Sequence, residues 1–264
     1  MGRIILIASG KGGVGKTTFT ANLGIMLARH NKSVCLVDGD FGLNNLDVAL
    51  GVENRVVYDV IDILQGNCRL SQGLVKDPVL SNLYMLASTK SEANKVVSKD
   101  VFKGLILDLE RVFDFVLIDS PAGVDYGYER ALSPAGEVVI ITTPNITSIR
   151  DASKAIQKAR KDECLDISVL INRMRWDLAR KGELLTPKDI ENLLGEKIIG
   201  VVPENNSLCA GYNIKTIFNS EPELVGVFSD IAQRIDRHEF ISYCENKNNK
   251  LRTKKAKILF GRKC

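Results

Sequence analysis

The 264-residue chain predicts an α/β fold, a mainly parallel, twisted sheet flanked by helices on both faces. Strand-length apolar runs alternate with helical patterns as far as residue 237. A glycine-rich loop joins the first run to the first helix, the context a phosphate-binding loop needs. Aspartates stand at the ends of several runs, and open parallel sheets bind ligands at the carboxyl ends of their strands. The composition, 45% hydrophobic and 26% charged, suits a globular chain long enough to bury a substantial core.

Residues 4–8, Ile-Ile-Leu-Ile-Ala, read as the first strand. Gly10, Lys11, Gly12, Gly13, Val14, Gly15, Lys16, Thr17 and Thr18 follow, and a helical pattern runs over 19–29. From Gly10 to Thr17 the stretch matches G-x-x-x-x-G-K-[ST]. Its glycines let backbone N–H groups turn inward around an anion, and the following helix adds the positive end of its dipole. Lys16 can reach β- and γ-phosphates, and the Thr17 hydroxyl can bind Mg²⁺. ATP with Mg²⁺ is the expected ligand. A glycine turn without a ligand does not explain a lysine and a hydroxyl at these two positions.

Residues 33–37 form the second strand, ending in Asp38-Gly39-Asp40. Beside a phosphate loop these acids are expected near Mg²⁺ and the γ-phosphate; standing alone they would read as a capped turn. A polar, glycine-containing stretch over 41–47 suits a mobile loop. Residues 56–64 read as a short helix stopped near Gly66, and 82–86 as a strand. An amphipathic helix over 99–111 places Val101, Leu105, Leu109 and Val112 on one face. The apolar strand of 113–119 ends in Asp119, a Walker B carboxylate placed for the metal shell, and Pro121 and Gly123 suit a sharp turn. Residues 137–142 read as a buried strand. A helix over 147–161 shows Ser148, Arg150, Asp151 and Lys154 on a face that reads as solvated. The strand of 166–171 ends in Asn172, whose amide suits either an adenine edge or a turn. Thr186 and Pro187 open a helix to 194. Residues 197–202 are the last core strand, followed by the turn Pro203-Glu204-Asn205, and 221–237 form the closing helix.

The net charge of +4 conceals an asymmetry. Residues 247–264 carry eight Lys/Arg and no acid, so the preceding 246 residues hold 28 basic and 32 acidic residues. An acidic body with a basic tail predicts an anionic partner for the tail. Residues 245–257 read as a disordered linker. Ile258, Leu259 and Phe260 add an apolar cluster that phosphate binding does not require, which argues against nucleic acid and for a membrane surface. A solvated basic tail with a chance apolar cluster is the bland alternative. The expected division is a nucleotide domain over 1–244 and a targeting tail over 245–264. The apolar runs are strand length, which excludes a spanning helix, and the early first strand leaves no room for a leader. Six scattered cysteines without a C-x-x-C pair suggest a reducing compartment and argue against a disulfide scaffold, a zinc site or an iron–sulfur cluster.

Lys11 inside the loop resembles the deviant Walker A pattern, K-G-G-x-G-K-T, of the MinD/ParA ATPases. The stretch from Gly42 through Asn45-Leu46-Asp47 to Leu50-Gly51-Val52-Glu53-Asn54-Arg55 resembles the MinD branch in particular. Asn44 departs from that pattern, standing where the family often has a basic residue. The resemblance implies a slow, Mg²⁺-dependent ATPase that forms a homodimer with ATP, binds an anionic membrane and selects the septum site. It implies that Lys11 reaches the partner's ATP, that Asp40 orients the attacking water, that Asp38 and Asp119 lie at the metal, and that Asn172, Pro203 and Glu204 sit beside the base. It further implies a MinC-like inhibitor and a MinE-like activator at the helix bearing Asp151. The location implied is cytoplasm, or the stroma of an organelle that encodes the chain, with attachment to the inner membrane surface in the ATP form. The other reading is a ParA-like partition ATPase that holds DNA through its basic residues.

Overall fold

A computed structural model of the chain describes residues 2–42, 45–88, 97–162 and 166–241. Eight strands form one sheet: β1 (Arg3–Ala8), β2 (Val34–Asp38), β3 (Leu74–Lys76), β4 (Leu83–Leu86), β5 (Phe115–Asp119), β6 (Glu137–Thr142), β7 (Asp166–Met174) and β8 (Lys197–Pro203). Their order is β3-β4-β2-β5-β1-β6-β7-β8, parallel throughout except for β3, which runs antiparallel at the edge. β1 lies between β5 and β6, with Ile7 opposite Asp119, and β2 lies beside β5 with Asp38 opposite Asp119. The carboxyl ends of β1, β2 and β5 therefore meet, and the loops that leave them share one place.

The helices are α1 (Lys16–Arg29), α2 (Leu46–Leu50), α3 (Val60–Leu64), α4 (Leu70–Gly73), α5 (Lys99–Glu110), α6 (Tyr126–Leu132), α7 (Ile146–Lys161), α8 (Trp176–Arg180), α9 (Pro187–Leu194), α10 (Asn206–Cys209), α11 (Ile214–Ile217) and α12 (Pro222–Arg237). Strand side chains alternate between two cores. Ile4, Leu6, Val116, Ile118 and Ile140 face α5, α6, α7 and α9. Ile5, Ile7, Leu36, Leu117 and Ile141 face α1, α11 and α12. Burial on both faces explains why these strands are continuous apolar runs.

Three expectations are corrected. The 56–64 helix spans only Val60–Leu64, after a 3₁₀ turn at Glu53–Arg55. Asp59 starts it: its carboxylate accepts from the Ile61 and Asp62 amides at 2.7 and 3.2 Å, and Asp62 accepts from the Asp59 amide at 3.1 Å. On α5 the buried face is Phe102, Leu105, Ile106 and Leu109, whereas Val101 and Val112 are exposed. Ser148 is not on a solvated face. It is buried, and its hydroxyl accepts from the Thr143 amide at 3.1 Å and from the Thr142 hydroxyl at 3.1 Å.

The tail expectations, Ile258, Leu259 and Phe260 with the boundary at 244/245, lie outside the described residues, as do residues 43 and 44 of the 41–47 loop.

Candidate active site

The glycine loop leaves β1 and enters α1 through Gly15, whose φ of +95° is left-handed and costs little without a Cβ. A Cβ on Gly15 would stand 2.4 Å from Asn172 Nδ2, and one on Gly10 1.9 Å from the Asp151 carbonyl oxygen. The loop is thus pressed against β7 and α7 on its inner side. Gly12 and Gly13 are exposed, and nothing lies within 4 Å of a Cβ on Gly13. A loop closed behind and open in front fits a phosphate chain.

Lys16, on the first turn of α1, is buried. Burial draws its ammonium below the ordinary lysine value, opposed by attraction to Asp119 and Asp40. The Thr17 hydroxyl donates to Asp119 Oδ2 at 2.6 Å, and Thr20 donates to Asp119 Oδ1 at 3.3 Å. Asp38 accepts the Asp40 amide at 3.0 Å and the Leu46 amide at 3.3 Å. Burial, then repulsion from Asp119, pushes Asp38 up to about 7. Burial also raises Asp119 to about 6, against hydrogen bonds from Thr17 and Thr20 and the charge of Lys16. Asp40 is raised by burial and lowered by Lys16 and Arg130. Buried carboxylates that repel one another, with the Thr17 hydroxyl hydrogen-bonded to one of them, form an all-oxygen donor set. That set fits a hard cation such as Mg²⁺.

Beside the loop, Thr18, Phe19, Asn172, Pro203, Leu208 and Phe228 line a cleft. Val14 is buried under it, and its carbonyl accepts from Asn172 Nδ2 at 2.8 Å. The Asn172 amide is therefore already holding the phosphate loop, and its oxygen is what remains for a base. Arg173 and Asn205 also line the cleft; Asn205 belongs to the turn expected beside the base, and sequence reading missed Arg173 as a site residue. Glu204 does not line it. Its exposed carboxylate lies 3.9 Å from Arg175, and its amide donates to the Met174 carbonyl at 3.1 Å.

Lys11 is half-buried in the loop, its carbonyl accepting from the Ser9 hydroxyl at 2.7 Å. Asp151 sits behind Gly10 on α7, paired with Lys154 at 3.2 Å. Sequence reading also missed Thr20 and Arg130. Thr20 carried a weak signal, since it falls one helical turn after Lys16; Arg130 carried none.

A model of the CobQ/CobB/MinD/ParA nucleotide-binding domain matches residues 5–215. The septum site-determining protein MinD of Thermotoga maritima is 40% identical over 239 residues, 89% of this chain and 88% of that protein. Among solved structures, a MinC:MinD cell division complex from Aquifex aeolicus superimposes with a TM-score of 0.82 at 35% identity, covering 91% of this chain and 98% of that one. MinD from Pyrococcus horikoshii, complexed with Mg-ADP, gives 0.79 at 28% identity, covering 90% and 97%.

Proposed function

The chain belongs to the MinD family, within the CobQ/CobB/MinD/ParA nucleotide-binding group, and on that premise we propose that it is a septum-placing ATPase that dimerises and attaches to membranes with ATP. The observation that carries the reading is the meeting of Lys16, Thr17, Asp38, Asp40 and Asp119 at the adjacent ends of β1, β2 and β5. Lys16 and the loop backbone hold the phosphates. Thr17 Oγ1, Asp119 and Asp38 would hold Mg²⁺, whose charge would neutralise that of the phosphates. Asp40, only half-buried and attracted to Lys16, orients the attacking water. Lys11 of one copy meets the charge on its partner's ATP.

The tail, with Ile258, Leu259 and Phe260, supplies reversible attachment to an anionic membrane. Two tails on one dimer raise avidity by roughly 10²–10⁴-fold, so dimerisation by ATP also drives attachment, and hydrolysis releases it. Among the described residues no helix is long and apolar enough to cross a membrane. A MinC-like inhibitor and a MinE-like activator are the expected partners, at the α7 surface around Asp151. The Aquifex relative was solved with MinC.

The test is sedimentation with anionic vesicles, in ATP and in ADP, for the full chain and for one cut after Asn249, with duplex DNA as competitor. ATP-dependent, tail-dependent pelleting that DNA does not displace is expected. Salt-sensitive retention on DNA, without lipid binding, would establish the partition reading instead.

A further inference from the structure

The described residues include a fully buried arginine to which no step above assigns a role. Arg130, on α6, is 1% exposed. Taking a guanidinium out of water costs several kcal/mol unless its surroundings compensate. Among the described residues, its surroundings include Tyr126 on its own helix and one short segment that follows β2. The guanidinium carbon lies over the Phe41 ring, 3.7 Å from its centre, with the centre of the Phe102 ring 5.9 Å away. Its Nη2 donates to the Gly39 carbonyl at 3.5 Å. Asp40, between these two residues, attracts its charge. Three consecutive residues after β2 are thus gripped by a side chain from the helix that follows β5.

We infer that Arg130 is a positioning residue that clamps Gly39-Asp40-Phe41 and so holds the Asp40 carboxylate over the phosphate site. The inference rests on the ATPase reading above for what Asp40 does, but not for what Arg130 holds. Arg130 reaches the nucleotide only through this segment. It also ties the segment after β2 to α6, the helix that follows β5. Shape matters as well as charge here: a lysine keeps the charge but loses the broad guanidinium that reaches both Phe41 and the Gly39 carbonyl.

The test uses the full chain and three variants, Arg130→Met, Arg130→Lys and Phe41→Leu, with Arg130→Met/Phe41→Leu as the double. Steady-state ATP turnover, ADP affinity and amide hydrogen exchange are measured on each. Arg130→Met and Phe41→Leu are each expected to lower kcat at least tenfold, with KM and ADP affinity within about twofold. The double should lose little more than either single, because both break one contact. Arg130→Lys should recover only part of the rate. In Arg130→Met, the amides of 39–42 should exchange faster while those of β2 stay protected.

Unchanged turnover and unchanged exchange at 39–42 would overturn the clamp. So would a loss of ADP affinity parallel to the loss of rate, or additive losses in the double, which mark general damage. A wild-type chain without turnover would overturn the ATPase reading, and the exchange comparison would then decide the clamp by itself.

Discussion

Asp38 and Asp119 face each other across β2 and β5, both are buried, and the charge of Lys16 offsets the burial of Asp119 only in part. Their folded-state values of about 7 and about 6 lie above the usual carboxylate range. Between pH 4 and 7 the folded, nucleotide-free chain therefore holds protons that the unfolded chain has released. Stability from these two groups falls as pH rises through that window and levels off above pH 7. Denaturation midpoints at pH 5, 6, 7 and 8 should show the decline. Asp38→Asn should flatten it, and saturating Mg-ADP should reduce it by giving both carboxylates a cation. Gly10 gives a second prediction at this scale. Gly10→Ala would put a methyl group 1.9 Å from the Asp151 carbonyl, a backbone atom that cannot turn aside. It should cost about 1–3 kcal/mol by overpacking and weaken nucleotide binding by moving the loop, checked by thermal melts and ADP titration.

Among the elements, α5 separates periodicity from packing. Both 101/105/109/112 and 102/105/106/109 satisfy helical spacing, and only docking on the sheet and α6 selects the second. Phe102→Ala should destabilise the chain by about 3–5 kcal/mol. Val101→Ala, at an exposed position, should change stability by less than about 0.5 kcal/mol. Equal effects in a denaturant titration would mean that α5 packs in the other register. The same reasoning explains Ser148. Spacing from Arg150 and Lys154 suggests solvent, yet the hydroxyl turns inward to the end of β6.

For the whole molecule, attachment and catalysis should separate. The proposed nucleotide site lies at the carboxyl edge of the sheet, while Ile241, the last described residue, pairs with Ile198 at the start of β8 on the opposite edge. Truncation after Asn249 should therefore leave ADP affinity and the melting temperature unchanged while abolishing vesicle pelleting. Lys11→Ala should act in the reverse way. It leaves the tail intact and nucleotide binding largely preserved, but it should abolish the ATP-induced shift to dimer in analytical ultracentrifugation, and vesicle binding with it. A variant that still dimerises with ATP would remove the role across the dimer.

The loop from Gly10 to Thr18, the acids at 38, 40 and 119, and the alternation of strand and helix were all legible in the sequence. Each depends on a short stretch: glycines that permit a turn, an apolar run that must be buried on both faces, a carboxylate one step past that run. Arg130 was not legible, because an arginine in a seven-residue helix reads as solvated until α6 lies over Phe41. Nor was the Asn172 contact with Val14, the approach of Glu204 to Arg175, or the antiparallel β3 edge. These depend on which distant segments meet, and close packing of the two cores decides that, not any local pattern of residues.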